Sequence, residues 1–277
     1  MIDARLARRR FERAAASYAE ASRLESEIGA RMLERLDYVK LAPRRVLDAG
    51  SGPPQRALGR RYPAAEVIAF DFALAMLRIG TKRLFERNPP KAVCGDFVRL
   101  PLATASIDLV WSNMALHWAA DPLAALREFH RVLAPDGLLM FSALGPDTLA
   151  ELRAAAGAGR VHAFADMHDL GDMLLAAGFA EPVMDMERLT LVYADGAALL
   201  ADLRASGQTS ARADRARGLA GRRFLAGLHA RLAQHSRDGK LPVSFEVVYG
   251  HAWRAPARRA ANRTADGRSI VQFERRR

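Results

Sequence analysis

The chain has 277 residues, half of them hydrophobic, a single cysteine and a formal net charge of +11. That composition supports a sizeable core and excludes wholesale disorder, a disulfide framework and a zinc site resting on cysteines. No apolar run reaches the ~20 residues that span a bilayer, and the basic residues are not gathered on one stripe with interleaved aromatics, so neither a membrane span nor a nucleic-acid groove is expected.

Residues 5–38 predict helix, with a break near Ala19–Arg23. Phe11, Ala14, Ala15 and Tyr18, then Leu24, Ile28, Met32, Leu33 and Leu36, recur at three- and four-residue spacings. The charged N-terminal residues lack a following apolar block, so no signal peptide is expected, and the expected compartment is the cytoplasm. Strands and helices then alternate, which predicts a mostly parallel sheet. The expected strands are 45–49, 66–71, 91–94, Ser106–Asn113 and Leu138–Ala143, with helices near 54–62, 73–86 and 121–133. Asp121 before Pro122 marks the start of the last of these, and Pro135-Asp136-Gly137 turn the chain into the fifth strand. Cys94 lies in an apolar run and reads as a buried structural thiol.

The pattern then changes. Helices are expected at Asp147–Ala156 and Asp166–Ala177, a long strand at 182–193, helices over 196–235 and a strand at Val243–Trp253. A basic tail follows, with a short strand at Ser269–Phe273. The boundaries read as a helical cap over 1–42, a sheet domain over 43–253 with a helical lid at about 195–240, and the tail over 254–277.

The first strand delivers Asp48-Ala-Gly-Ser-Gly52, an acid followed by a glycine turn. Such a turn lets backbone approach a ligand closely, and Asp71 at the end of the second strand suits the hydroxyls of a ribose. These residues, with Gly95-Asp96-Phe97, Leu100-Pro-Leu102, Asp108-Leu-Val-Trp-Ser-Asn113 and Arg131-Val-Leu-Ala-Pro-Asp-Gly137, resemble the class I S-adenosylmethionine-dependent methyltransferases over about residues 40–145. The resemblance implies an α/β Rossmann-like sheet with an N-terminal helical cap and a helical insertion before the last strand. The flanks narrow it: Phe11-Glu-Arg-Ala-Ala-Ala-Ser-Tyr18, Leu116-His-Trp118, Leu144-Gly-Pro-Asp-Thr-Leu149 with Glu151-Leu-Arg153, and Phe245-Glu-Val-Val-Tyr-Gly-His-Ala-Trp253. They resemble the malonyl-acyl-carrier-protein O-methyltransferases of biotin synthesis, and they are also similar to a mitochondrial complex I assembly factor that hydroxylates an arginine.

The resemblance implies a site. Gly50 and Gly52 pass under the methionine part of S-adenosyl-L-methionine, Asp48 orients that turn, and Asp71 accepts the ribose hydroxyls. Phe72 packs on the adenine, Asp96 takes its amino group with the Phe97 amide nearby, Asn113 faces the methionine, and Tyr18 closes the cofactor from the first helix. Asp48 and Asp96 have the alternative of capping a turn, and Phe72, Phe97 and Tyr18 that of plain core. The family writes a third glycine where this chain has Pro53-Pro54, so two amides that face a ligand elsewhere are gone. Pro54 has the alternative of opening the next helix. Retained cofactor binding is favoured by Asp71 and Asp96; the alternatives are a methyltransferase-fold assembly or scaffold protein with weakened or lost cofactor binding, and a methyltransferase or hydroxylase acting on another acceptor.

A carboxylate acceptor is ionised at neutral pH and needs no general base, so the absence of an evident catalytic dyad suits methylation of an acid. His117 and Trp118, just after the fourth strand, are the catalytic candidates: His117 to hold the carboxylate and Trp118 to wall the pocket. His162 is a weaker candidate, and an arginine of 204–237 is another source of a clamp. The expected partner is an acidic acyl carrier protein bearing a malonyl group, steered by the positive charge of the chain. No metal-ligand cluster is apparent.

Overall fold

The computed structural model describes residues 2–54, 56–79, 89–215, 218 and 220–256. Two helices open the chain, α1 (Ala4–Ala21) and α2 (Arg23–Arg35). Asp3 caps the first, its carboxylate accepting from the Leu6 amide at 3.0 Å. The break falls at Ser22, whose amide closes on the Tyr18 carbonyl at 2.8 Å.

The sheet follows in the expected alternation. Its strands are β1 (Arg45–Ala49), β2 (Glu66–Asp71), β3 (Lys91–Cys94), β4 (Ile107–Ser112), β5 (Leu133–Leu144), β6 (Ala180–Tyr193) and β7 (Leu241–Trp253). They lie in the order β3-β2-β1-β4-β5-β7-β6. The first five run parallel, while β7 is antiparallel to both β5 and β6. Strand order reverses between β1 and β4, the point at which open α/β sheets leave a crevice beyond the carboxyl ends of their strands. Both faces are covered, so the central strands are apolar on both sides. Val46, Leu109 and Trp111 pack beneath α2. Leu47 and Val110 pack on the opposite face, beneath α5 (Pro122–Val132) and α7 (Met167–Ala176).

Three shorter helices connect strands: α3 (Ala57–Arg61), α4 (Leu74–Leu77) and α6 (Ala150–Ala156). The insertion between β6 and β7 carries α8 (Gly196–Ala205) and α9 (Arg222–Ala233). It is bolted to α1. The Asp3 amide donates to the Ala211 carbonyl at 2.8 Å, Ser17 Oγ to the Ala205 carbonyl at 2.8 Å, and the Arg10 guanidinium to the Ser210 carbonyl. Arg215 pairs with Asp3 at 3.2 Å.

Several expectations are corrected. Pro54 does not open a helix; α3 begins three residues later, at Ala57, because the chain first completes the glycine turn. The fifth strand starts at Leu133, not Leu138. Pro135-Asp136-Gly137 form an irregularity within it, where the register against β4 shifts between Ile107 and Leu109 and Asp136 takes a φ of 62°. Cys94 is exposed, since β3 is the edge strand and only its Val93 is even partly covered. Of the helix expected over 73–86, Leu74–Leu77 is helical and residues 80–88 lie outside the described residues. The strand expected at 269–273, and the tail beyond residue 256, also lie outside them.

Candidate active site

The glycine turn is built as its residue types require. Gly50 and Gly52 adopt φ of 80° and 58°, left-handed values that L side chains resist. A Cβ on Gly50 would lie 2.2 Å from the Cβ of Ala115, so that glycine is fixed by packing as well as by conformation. The amides of Gly50 and Ser51 both bond the Phe70 carbonyl, at 2.7 and 3.0 Å, tying the turn to the end of β2. The Gly52 amide then donates to Asp71 Oδ2 at 2.9 Å. Pro53 and Pro54 therefore follow a turn that is already closed.

Beyond the carboxyl ends of β1, β2 and β4 lies a cleft of about 630 Å³ counted to its open mouth. Tyr18, Gly50, Gly52, Asp71, Phe72, Asp96, Phe97, Asn113 and Trp118 all line it. Thus the structure brings together every residue proposed for the cofactor except Asp48. Asp48 lies behind the turn, in a second hollow of about 840 Å³ to its mouth, which Tyr18, Gly50 and Asn113 share with the cleft.

The acids are tuned by burial. Asp71 accepts from the amides of Gly52 and Ala73, the latter at 2.7 Å, yet burial raises its pKa to about 6. Each of its oxygens keeps a lone pair, enough to accept a pair of vicinal hydroxyls. Asp48 is raised to about 7, by burial first and then by Asp71. Tyr18 stands among Glu25, Asp71 and Asp48, and burial with these charges pushes its hydroxyl well above the usual range. Its ring packs 3.4 Å from the position of a Cβ on Gly52, so α1 closes directly over the turn.

The remaining candidates have mixed duties. Asp96 caps the turn Phe97–Arg99, accepting from the Val98 amide at 3.2 Å, while also lining the cleft. Phe97 lies 6.2 Å from Phe70 and 5.7 Å from Phe129, ring centre to ring centre, so one edge is core. Asn113 spends its side chain on structure: Nδ2 donates to the Glu25 carbonyl at 2.8 Å and Oδ1 accepts from Ser142 Oγ at 2.9 Å. One amide proton and one Oδ1 lone pair remain beyond these two bonds.

Trp118 is buried and lines both the cleft and a further chamber, about 880 Å³ to its mouth. The chamber is walled by Leu144, Leu149, Leu152, Val161, Leu203 and Leu228, with Arg160 and Arg204 also in its lining. Both arginines are exposed, and Arg160 stacks over Phe224 at 4.0 Å. His117 sits apart. Its Nδ1 accepts from the Leu144 amide at 3.3 Å, and burial, with His162 nearby, lowers its pKa to about 3. A neutral ring in that position supplies no cation, and it lines neither the cleft nor the chamber. His162 does line the chamber.

The sequence reading passed over Glu25. It is buried between the hollow behind the turn and a neighbouring one, bonds Gln208 of the lid, and burial raises its pKa to about 7. Its signal was legible: it precedes Ile28 by three residues, on the apolar stripe of α2. Among the described residues no cluster of His, Cys, Asp and Glu could hold a metal ion, and no helix is long and apolar enough to cross a membrane.

Comparison with known proteins agrees with this geometry. A family model described as a methyltransferase domain matches residues 47–141. A malonyl-[acyl-carrier protein] O-methyltransferase of Methylovorus sp. is 51% identical over 99% of this chain and 95% of its own length. The same-named protein of Laribacter hongkongensis is 50% identical over 95% of this chain and 93% of its own. The crystal structure of the YcgJ protein from Bacillus subtilis superposes with a TM-score of 0.58 at 18% identity, covering 82% of this chain and all of that one, and so shares the fold.

Proposed function

This chain belongs to the malonyl-[acyl-carrier protein] O-methyltransferase family, and from that premise we propose that it methylates the free carboxylate of a malonyl group borne on an acyl carrier protein, a step of biotin synthesis, using S-adenosyl-L-methionine. The observation that carries the reading is the pairing at the end of β2: Asp71 fixed by the Gly52 amide, in a cleft closed by Tyr18. When bound, the cofactor supplies an electrophilic methyl group on a sulfonium.

The residues divide the work. Asp71 receives the ribose hydroxyls and Asp96 the adenine amino group, with Phe72 and Phe97 beside the ring. Gly50 and Gly52 offer close backbone approach, and Asp48 supports the turn from behind. Tyr18 and Trp118 exclude water. A carboxylate oxygen already holds the electron pair for the new bond, so no proton moves and no base is needed; alignment and dryness are the protein's contribution. The partner is an acidic carrier protein, drawn to the exposed Arg160 and Arg204 at the chamber, and the compartment is the cytoplasm.

The test is direct. Purified protein is incubated with S-adenosyl-L-methionine and malonyl-loaded carrier protein, and the intact carrier is followed by mass spectrometry. The malonyl carrier should gain one methylene and the acetyl-loaded carrier nothing. A folded protein that leaves both unchanged overturns the reading. Reversing Arg160 and Arg204 to glutamate should slow turnover most at low salt.

A further inference from the structure

Two residues that line the chamber behind Trp118 each hold a buried polar atom with no hydrogen-bond partner among the described residues. His162 is 5% exposed, and its Nε2 accepts from the Ala211 amide at 2.6 Å. That bond places the proton of the neutral ring on Nδ1. Nδ1 is shielded from water and has no partner among the described residues. Ser210 Oγ, from the lid, is in the same condition, and both residues line the chamber. Two buried donors without acceptors in one wall are uncommon in native proteins and call for a ligand that completes them.

The surroundings specify the ligand's sign. Arg10 of α1 donates to the Ser210 carbonyl and forms no ion pair among the described residues. Arg212 donates to the Val161 carbonyl at 3.2 Å while pairing with Asp214. Burial, then the charges of Arg10 and Arg212, hold His162 at about 4, so at neutral pH it is an N–H donor in a positive field. The ring of Trp118, which also lines the cofactor cleft, lies 4.9 Å from that of His162, centre to centre. An anion held by His162 and Ser210 therefore sits one aromatic ring away from the cleft.

We propose that the chamber behind Trp118 is the acceptor site, and that His162 Nδ1–H and Ser210 Oγ–H hold the free carboxylate of the acceptor against the cleft. The inference rests on the carboxylate-methylating reading above. It makes His162 a recognition residue whose tautomer is set by the lid through Ala211, and Trp118 the side chain past whose edge the acceptor oxygen reaches the methyl group of the donor.

His162→Gln separates this role from a structural one. The glutamine amide reaches the position of Nε2 and accepts from the Ala211 amide, but places no donor where Nδ1 was. In H162Q, KM for malonyl-loaded carrier should rise about tenfold, with calorimetric affinity for S-adenosylmethionine within about twofold of the parent. Binding measured with S-adenosylhomocysteine present should favour malonyl- over acetyl-loaded carrier in the parent and lose most of that preference in H162Q. Ser210→Ala, which removes only a hydroxyl, should shift both readouts in the same direction by a smaller factor. An active parent whose H162Q and S210A variants keep KM and the malonyl preference overturns the assignment, as does an equal loss for both carriers. A parent that binds the cofactor but neither binds nor methylates malonyl carrier overturns the functional reading itself, and this assignment with it.

Discussion

The cofactor cleft and the chamber share Trp118 and are built in opposite ways. The cleft is assembled chiefly from short segments at the ends of neighbouring strands, 50–52, 71–72, 95–97 and 113–120, with Ala4, Phe11 and Tyr18 added from α1. Each carries its own local reason, a glycine at positive φ, an acid at a strand end or a capping turn. The chamber is assembled from segments remote in sequence, 144–164, 200–210 and 224–228, together with Trp118. Its wall is ordinary leucine, and its polar groups acquire meaning only from what folding places beside them. A binding site for a common cofactor can be written in local code, whereas a site for one particular acceptor is written in tertiary contacts.

Substitutions should act on one side at a time. The largest effect is expected from Asp71→Asn, which removes the charge that Gly52 and Ala73 bond. Affinity for S-adenosylmethionine should fall about 100-fold by calorimetry, given ~1.5–3 kcal/mol for each hydrogen bond to a charged group, while malonyl-carrier binding changes little. Ala156→Phe fills the chamber. It should lower turnover on carrier substrate about tenfold and leave cofactor affinity within about twofold, and a matching loss of cofactor affinity would merge the two compartments.

Acidity should distinguish them next. Asp71 sits at about 6 and Asp48 at about 7, both raised by burial. Cofactor affinity should therefore weaken as pH falls from 7.5 to 5.5, as Asp71 takes up the proton that competes with ribose hydroxyls. Stability of the ligand-free protein runs the other way. A raised carboxyl favours the folded state below its unfolded pKa, and that contribution is lost as pH rises through 6 to 7. His117 and His162, lowered to about 3 and 4, oppose it: their contribution is present above the unfolded histidine value and fades as pH falls. Above pH 6.5 only the acids still titrate, so Asp48→Asn should raise the ligand-free Tm at pH 8 by about 2 °C or more.

A smaller change is expected from Asp3→Ala, which removes the cap of α1 and the pair with Arg215; calorimetric stability should drop and cofactor should dissociate faster. Smallest is Cys94→Ser. It should leave stability and turnover unchanged, while the native thiol reacts with an aqueous thiol reagent, as an edge-strand position predicts.

Much of the sheet was legible because alternation and turn chemistry are local, and the residues gathered around the cleft were named from motifs one strand long. Where expectation and structure part, the cause is tertiary. Cys94 reads as core because its run is apolar, but strand order puts it at the sheet edge. His117 reads as a clamp because it follows β4, but its Nδ1 accepts from the Leu144 amide and its ring lines neither the cleft nor the chamber. Other quoted motifs turn out to be joints. Arg131 binds the carbonyls of Leu100 and Leu102 at 3.0 and 2.9 Å, holding the loop that carries Asp96. Glu151 takes the amide and hydroxyl of Ser244 at 3.0 and 2.7 Å, fixing the chamber floor to β7.

The bonds between α1 and the lid have a kinetic meaning. Tyr18 lines the cleft and Ser210 the chamber, yet Asp3, Arg10 and Ser17 join α1 and the insertion that carry them. A door hung this way serves two rooms with one hinge. Movement of one cover is therefore expected to move the other, so a ligand that holds either one shut should tighten the grip on the second ligand by the same factor.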